Sequence, residues 1–332
     1  MPLDAPTETR ADRLHAAIST TLDGFYSAVD EASFERRAGH VRLLFRSVPV
    51  PIFNGALVEA EPSTGIADSI REVEERGLPC GVQVRAARHP DVEEKVVRLG
   101  LTARVPMPGM TVSPDELADA RAPGLEIVRV EDEEGLADAA RVAAAGGGAP
   151  LEFMLALYAP GLLQLAGLAV YLGRVDGETV TTGIGYQTDK DVAIFSVATP
   201  PEHRRRGYGG AITAHAARAA FENGADVAWL QTSKIGESVY RGLGFRQVEM
   251  HFMLGRPSPQ RSWAPLSDSI GSKSKSNPQC RGPSAATAWG EASCALRGRP
   301  STATASPTAR SVLTRGSPLR SSTSSTMSGL QT

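Results

Sequence analysis

The chain has 332 residues, a formal net charge of −2, 41% hydrophobic and 22% charged residues. That length allows two ordinary domains, and the composition can fill a core. The near-neutral balance excludes whole-chain attraction to nucleic acid or an anionic membrane. The three cysteines, Cys80, Cys280 and Cys294, exclude a disulfide scaffold and offer no metal-ligand spacing, so no metal is expected. Their sparse use fits a reducing cytoplasm, and MPLDAPTETRADRLH, with early acids and no apolar run, is not a secretory signal.

In chain order, a helix is predicted over Asp12–Val29, then strands at Val41–Ser47 and Phe53–Ala60. Ile66, Ile70 and Val73 set helical spacing over Ile66–Arg76, stopped by Gly77. A short strand at Gly81–Arg85 and a helix at Asp91–Leu99, between Pro90 and Gly100, lead to a strand ending near Val112. Residues 113–124, SPDELADARAPG, are polar and turn-rich and read as a linker.

The second half opens with a strand at Glu126–Val130 and a helix at Glu133–Ala145 closed by three glycines. Phe153–Gly173 is free of charge over a length that could span a bilayer. Pro160-Gly161 interrupts it and no Lys/Arg cluster flanks it, so two shorter buried elements are expected and no membrane span. Strands at Ala169–Val175, Thr179–Thr188 and Val192–Ala198, joined by short polar turns, form an antiparallel meander. A helix over Gly207–Asn223, a strand at Val227–Thr232, a helix at Gly236–Leu243 and a strand at Phe245–Leu254 follow. The fold class is α/β with a mixed sheet, in two lobes. EEKVVRLGL (93–101) and ESVYRGLGF (237–245) echo each other as helix-to-strand steps, with Tyr240 opposite Val96.

Residues 257–332 differ from everything before them. They carry +7 against −9 for the rest, and 40 of the 76 are Ser, Thr, Pro or Gly. Such a composition cannot bury enough apolar surface to offset ordering entropy, so a disordered basic tail is expected.

The chemistry concentrates in VATPPEHRRRGYGGA (197–211). An apolar strand ends, a Pro-Pro turn follows, and Arg204-Arg205-Arg206 precede Gly207-Tyr208-Gly209-Gly210, which opens a helix. Glycines admit close backbone approach, the helix start offers free N–H groups, and the arginines add charge, which together make a diphosphate seat. A P-loop is excluded by the missing Lys-Ser/Thr, and a dinucleotide fingerprint by the missing third glycine.

This stretch resembles the R-x-x-G-x-G signature of the GCN5-related N-acetyltransferases (GNAT), on Arg204, Gly207 and Gly209. LQTSKIGESVYRGLGF (230–245) is similar to the family's fifth strand, short helix and G-F step. The resemblance covers about residues 123–255 and implies an acyl-CoA N-acyltransferase fold. On it, 125–256 form the acetyltransferase domain, and 1–112 a degenerate lobe of the same element order. It also implies acetyl-CoA as co-substrate, with Val197, Ala198 and Thr199 pairing with the pantetheine arm. Arg204, Arg205, Arg206, Gly207, Tyr208, Gly209 and Gly210 would hold the diphosphate. Tyr240 matches the tyrosine that protonates the departing thiolate. The acceptor would be a primary amine of a small molecule, peptide or protein, attacking the thioester directly in a ternary complex. The family's fourth-strand glutamate has no counterpart in VAIFSVA (192–198), and Glu152 is the acid to test as base. His203, His215 and Cys80 are expected to be packing or surface residues. In the first lobe EPSTGIADSIREVEERG (61–77) has one glycine before its helix and no arginine just upstream, so one cofactor site per chain is expected. The rival reading is a non-catalytic acyl-CoA-binding regulator or scaffold.

Overall fold

The computed structural model describes residues 7–257 apart from Ile235. The tail assigned to 257–332 therefore lies outside the described residues except for Pro257. Helix α1 (Thr7–Ser27) leads to strands β1 (Ala32–Arg37), β2 (His40–Phe45) and β3 (Gly55–Val58), then helix α2 (Ile66–Glu74), β4 (Gly81–Arg85), α3 (Pro90–Arg98) and β5 (Ala103–Val112). After irregular residues 113–125 come β6 (Glu126–Arg129), α4 (Glu133–Gly147), α5 (Leu151–Leu157), β7 (Leu168–Val175), β8 (Glu178–Thr188) and β9 (Asp191–Ala198). Helix α6 (Tyr208–Glu222), β10 (Val227–Gln231), α7 (Glu237–Gly242) and β11 (Arg246–Gly255) close the described chain.

The predicted elements are present with small shifts at their ends, and one strand is added. β1 was not expected, because ASFERR carries three charges in six residues and leaves its side chains partly or fully exposed. It is an edge strand, where charge is tolerated and opposes further pairing. The uncharged stretch 153–173 resolves into α5, a 3-10 turn at Pro160–Gln164 and β7. No helix among the described residues is long and apolar enough to cross a membrane.

All eleven strands form one sheet, in the order β1-β2-β3-β4-β11-β5-β10-β9-β8-β7-β6. The centre is an exchange between halves. β11 lies between β4 and β5, and β5 lies between β11 and β10, all antiparallel. Outward from the β5/β11 pair the two sides repeat: β3 runs parallel to β4, and β9 parallel to β10, each over three rungs.

The helices repeat as well. α2 and α6 both start on a left-handed glycine, Gly65 at φ 79° and Gly207 at φ 83°. The echo between 93–101 and 237–245 is structural. Leu101 N donates to Val96 O and Phe245 N to Tyr240 O, while Gly100 and Gly244 take φ 93° and 94°. The two halves therefore repeat one element order and complete each other's sheets.

One apolar layer gathers α1, α4 and α5 against the sheet, including Leu14, Phe25, Leu136, Met154 and Ile184. The opposite face is covered by α2 and α3 beside β2–β4, and by α6 with the α7–β11 step further along. α1 bridges the halves: Phe25 packs edge-on at 5.8 Å against Phe195 of β9. Gly24 permits the approach, since a Cβ there would sit 1.9 Å from the Tyr186 hydroxyl.

Met110 of β5 is fully buried in the core formed by α6, β9 and β10. Met110→Ala is expected to cost about 2–5 kcal/mol and to shift a single urea transition that reports both halves. Two separate transitions, only one of them displaced, would contradict the exchanged sheet.

Candidate acyl-CoA site

β9 and β10 part company after three rungs. Asp191, Val192 and Ala193 pair with Val227, Ala228 and Trp229. β10 then pairs onward with β5, while β9 continues to Ala198 beside β8 alone. The β10-facing edge of residues 194–198 is thereby left without a strand partner, open to an extended ligand that can add itself as a strand. A bulge sharpens the split: Gly183 faces both Ser196 and Val197, and Ser196 takes φ 53°.

Beyond Ala198 the chain makes a 3-10 turn at Pro201–His203, and Arg205 adopts φ 62° before Gly207. Non-glycine residues in this region cost about 1–3 kcal/mol and cluster where a site demands them. Of the six such residues described, Asp176 and Asp189 occupy hairpin turns, while Ser196 and Arg205 bracket the β9 exit. Gly207 is the N-cap of α6, and no side chain caps the helix. The first amides of the helix are therefore left without a side-chain partner, with the positive end of the helix dipole behind them.

The predicted seat residues divide into two kinds. Arg205 and Arg206 are exposed and supply charge at the rim, with Arg206 also reaching Glu202 O at 3.4 Å. Gly209 and Gly210 are half-buried, and a Cβ on Gly209 would find Thr199 Oγ1 and Val197 Cγ1 at ordinary distances of 3.7 and 3.8 Å. Arg204 instead acts as a strut. Its Nε donates to Thr199 O at 3.1 Å and its Nη2 to Gly146 O at 2.7 Å, tying the β9 exit to the end of α4. Tyr208 buries its ring with Ala122, Val180 and Ala211, so only its backbone can serve a ligand. Val197, Ala198 and Thr199 form the strand exit, where Thr181 Oγ1 donates to Ala198 O at 2.9 Å. Arg204→Ala is expected to destabilise the fold by about 1–3 kcal/mol, read as a lower Tm, because two buried-side carbonyls lose a charged donor.

Tyr240 lies on α7, half-buried, with its ring edge-on to Phe245 at 6.0 Å. Desolvation pushes its hydroxyl up to about 12, so it stays protonated at neutral pH. Glu152 does not join this group. It is exposed in the first turn of α5, whereas Tyr158 at the other end of that helix touches β9. The Tyr158 hydroxyl and Ser196 Oγ lie 2.8 Å apart inside the bulge, and burial raises the Tyr158 phenol to about 12. Sequence reading missed this pair; the only signal was a polar Ser196 in an otherwise apolar strand.

The remaining expectations concern packing. Cys80 is buried with its thiol pushed up to about 12 by desolvation, the state of a small hydrophobe rather than a nucleophile. His215 stacks edge-on with Tyr171 at 4.9 Å, and His203 Nε2 lies 3.3 Å from Glu178. In the first half, the turn equivalent to 204–210 presents Asp68 in the first helical turn, and Glu61 accepts from Val92 N at 2.8 Å. The backbone shape survives there, but its charge opposes a diphosphate.

Comparison with known proteins agrees with this geometry. The acetyltransferase (GNAT) family profile matches residues 150–245. A GCN5-related N-acetyltransferase from Kribbella flavida superposes with TM-score 0.57 at 22% identity, over 73% of this chain and 95% of its own. A conserved protein of unknown function from Staphylococcus epidermidis gives 0.52 at 14% identity, over 69% and 94%. A tandem GNAT protein from the clavulanic acid biosynthesis pathway gives 0.50 at 14%, over 73% and 88%. No curated protein sequence matches significantly. These structural likenesses show the fold, and the family profile covers the strands, turn and helices just described. Residues 150–245 of this chain thus match the acetyltransferase (GNAT) family model, on a fold shared with GNAT structures, a tandem one among them.

Proposed function

We propose that the protein transfers an acetyl group from acetyl-CoA to a primary amine. The observation that carries this reading is the split edge of β9 followed by the uncapped α6 turn. One feature suits an extended pantetheine arm, the other a diphosphate, and they adjoin in the order coenzyme A presents them.

Coenzyme A would lay its diphosphate on the amides of Arg205–Gly210 and its pantetheine along Val197–Thr199. A neutral amine then attacks the thioester carbon; the C–N bond forms, the C–S bond breaks, and the thiolate takes its proton from Tyr240. An amide on the free β9 edge is suited to polarise the carbonyl. With Glu152 exposed and β9 without a carboxylate at its open end, we assign the amine's proton to solvent, with Glu152 as the first acid to substitute. The first half acts as a degenerate partner. Its α1 packs on Phe195 and forms part of the wall on the acceptor side of β9.

The test is thiol release from acetyl-CoA across a panel of small amines and peptides, beside calorimetric titration of acetyl-CoA. Binding together with amine-dependent release is expected. Binding without release from any amine would favour a non-catalytic acyl-CoA sensor, and no binding would overturn the reading. The cysteine usage keeps the cytoplasm as the proposed compartment.

A further inference from the structure

Away from the acyl-CoA site, under α1, a cluster of buried polar side chains has no part in the chemistry above. His15 projects from α1, and Glu249 and His251 project from β11 two residues apart, on one face of the strand. His15 is 7% exposed, His251 0%, and the Glu249 side chain 7%. One ligand-type atom from each lies within 4.8 Å of the other two.

The distances fit a coordination shell. His15 Nδ1 and His251 Nε2 are 3.3 Å apart, and His251 Nε2 and Glu249 Oε2 are 3.5 Å apart. Metal–ligand bonds of about 2.0–2.1 Å in a tetrahedral site place neighbouring ligand atoms about 3.3–3.5 Å from each other.

The surroundings orient the carboxylate. Arg85 Nε donates to Glu249 Oε1 at 2.6 Å and its Nη2 to Asp12 Oδ1 at 2.6 Å. Glu249 Oε2 is left buried with no hydrogen-bond partner among the described residues. A ligating carboxylate typically has its other oxygen held this way. A cation between the three side chains would give that oxygen a partner.

We infer that His15, Glu249 and His251 bind a divalent cation of the zinc class, which ties α1 to β11 at the junction of the two halves. Two nitrogens and one carboxylate oxygen select zinc, cobalt or nickel over magnesium or calcium. The site escaped the sequence reading because its ligands are up to 236 positions apart. It requires no assumption about acyl transfer.

The experiment uses the full chain, stripped with chelator and titrated with Zn²⁺, with Tm read alongside calorimetry. One equivalent is expected to bind, raising Tm by about 5 °C or more once free ion exceeds Kd about 100-fold. His15→Gln and Glu249→Gln should each weaken binding at least about 10-fold; stripped His15→Gln should keep the Tm of the stripped wild type, whereas Glu249→Gln also loses the buried ion pair with Arg85 and is read by its affinity alone. Absence of binding, or binding undiminished in both variants, would overturn the inference. Should the variants not fold, Co²⁺ on the wild type decides. A tetrahedral visible band without a thiolate charge-transfer band supports the site. The spectrum of the aquated ion, or a thiolate band, rejects it.

Discussion

Gly209→Asp is expected to weaken acetyl-CoA binding more than 100-fold while leaving the fold intact. The Cβ itself fits, with its nearest neighbours at 3.7 and 3.8 Å, so sterics alone would not disturb the protein. The carboxylate is the active element. Like charges brought together at a binding surface cost several kcal/mol, and about 3 kcal/mol already exceeds 100-fold in Kd. An acid in the first turn of α6 meanwhile complements the helix dipole by about 0.3–1 kcal/mol, so Tm should hold or rise. Gly209→Ala separates the effects, since it adds the carbon without the charge and should weaken binding far less. Calorimetry with acetyl-CoA and a melting curve on each variant check this; equal affinity in wild type and Gly209→Asp would move the diphosphate elsewhere.

Tyr240→Phe should reduce kcat by about 100-fold or more, the lower range for loss of a general acid, with acetyl-CoA affinity unchanged. The ring contact with Phe245 survives the substitution, so a drop in Tm would mark a structural role instead. The pH dependence has a definite sign. Because desolvation raises the Tyr240 hydroxyl to about 12, the donor remains protonated through neutrality, and its contribution is lost only as pH climbs toward that value. A rate in Tyr240→Phe equal to wild type would remove the tyrosine from the reaction.

Much of the fold is legible locally. Helix ends at Gly77, Gly100 and Gly224 are written as glycines where the backbone turns left-handed, and the turn into α6 is written as arginines and glycines in one continuous run. The exchange of β5 and β11 is not, since strand pairing is set by contacts between distant segments and either strand could have closed its own half. β1 is hidden for a different reason. Ser33, Glu35, Arg36 and Arg37 match an edge strand's tolerance for polarity, not the alternation used to find strands. Arg204 shows how a motif can mislead in detail: its position in the signature is clear, but only the carbonyls of Thr199 and Gly146 reveal that it holds the turn together. Tyr158 and Ser196 meet only because a bulge turns β9 at that point.

A crystal structure of the chain with coenzyme A bound is the most direct trial of the whole account. The diphosphate oxygens should lie at hydrogen-bond distance, about 2.7–3.2 Å, from amides within Arg205–Gly210, with the pantetheine extended along Val197–Thr199. A diphosphate found instead at the Gly65 turn of the first half, or away from both turns, would contradict it.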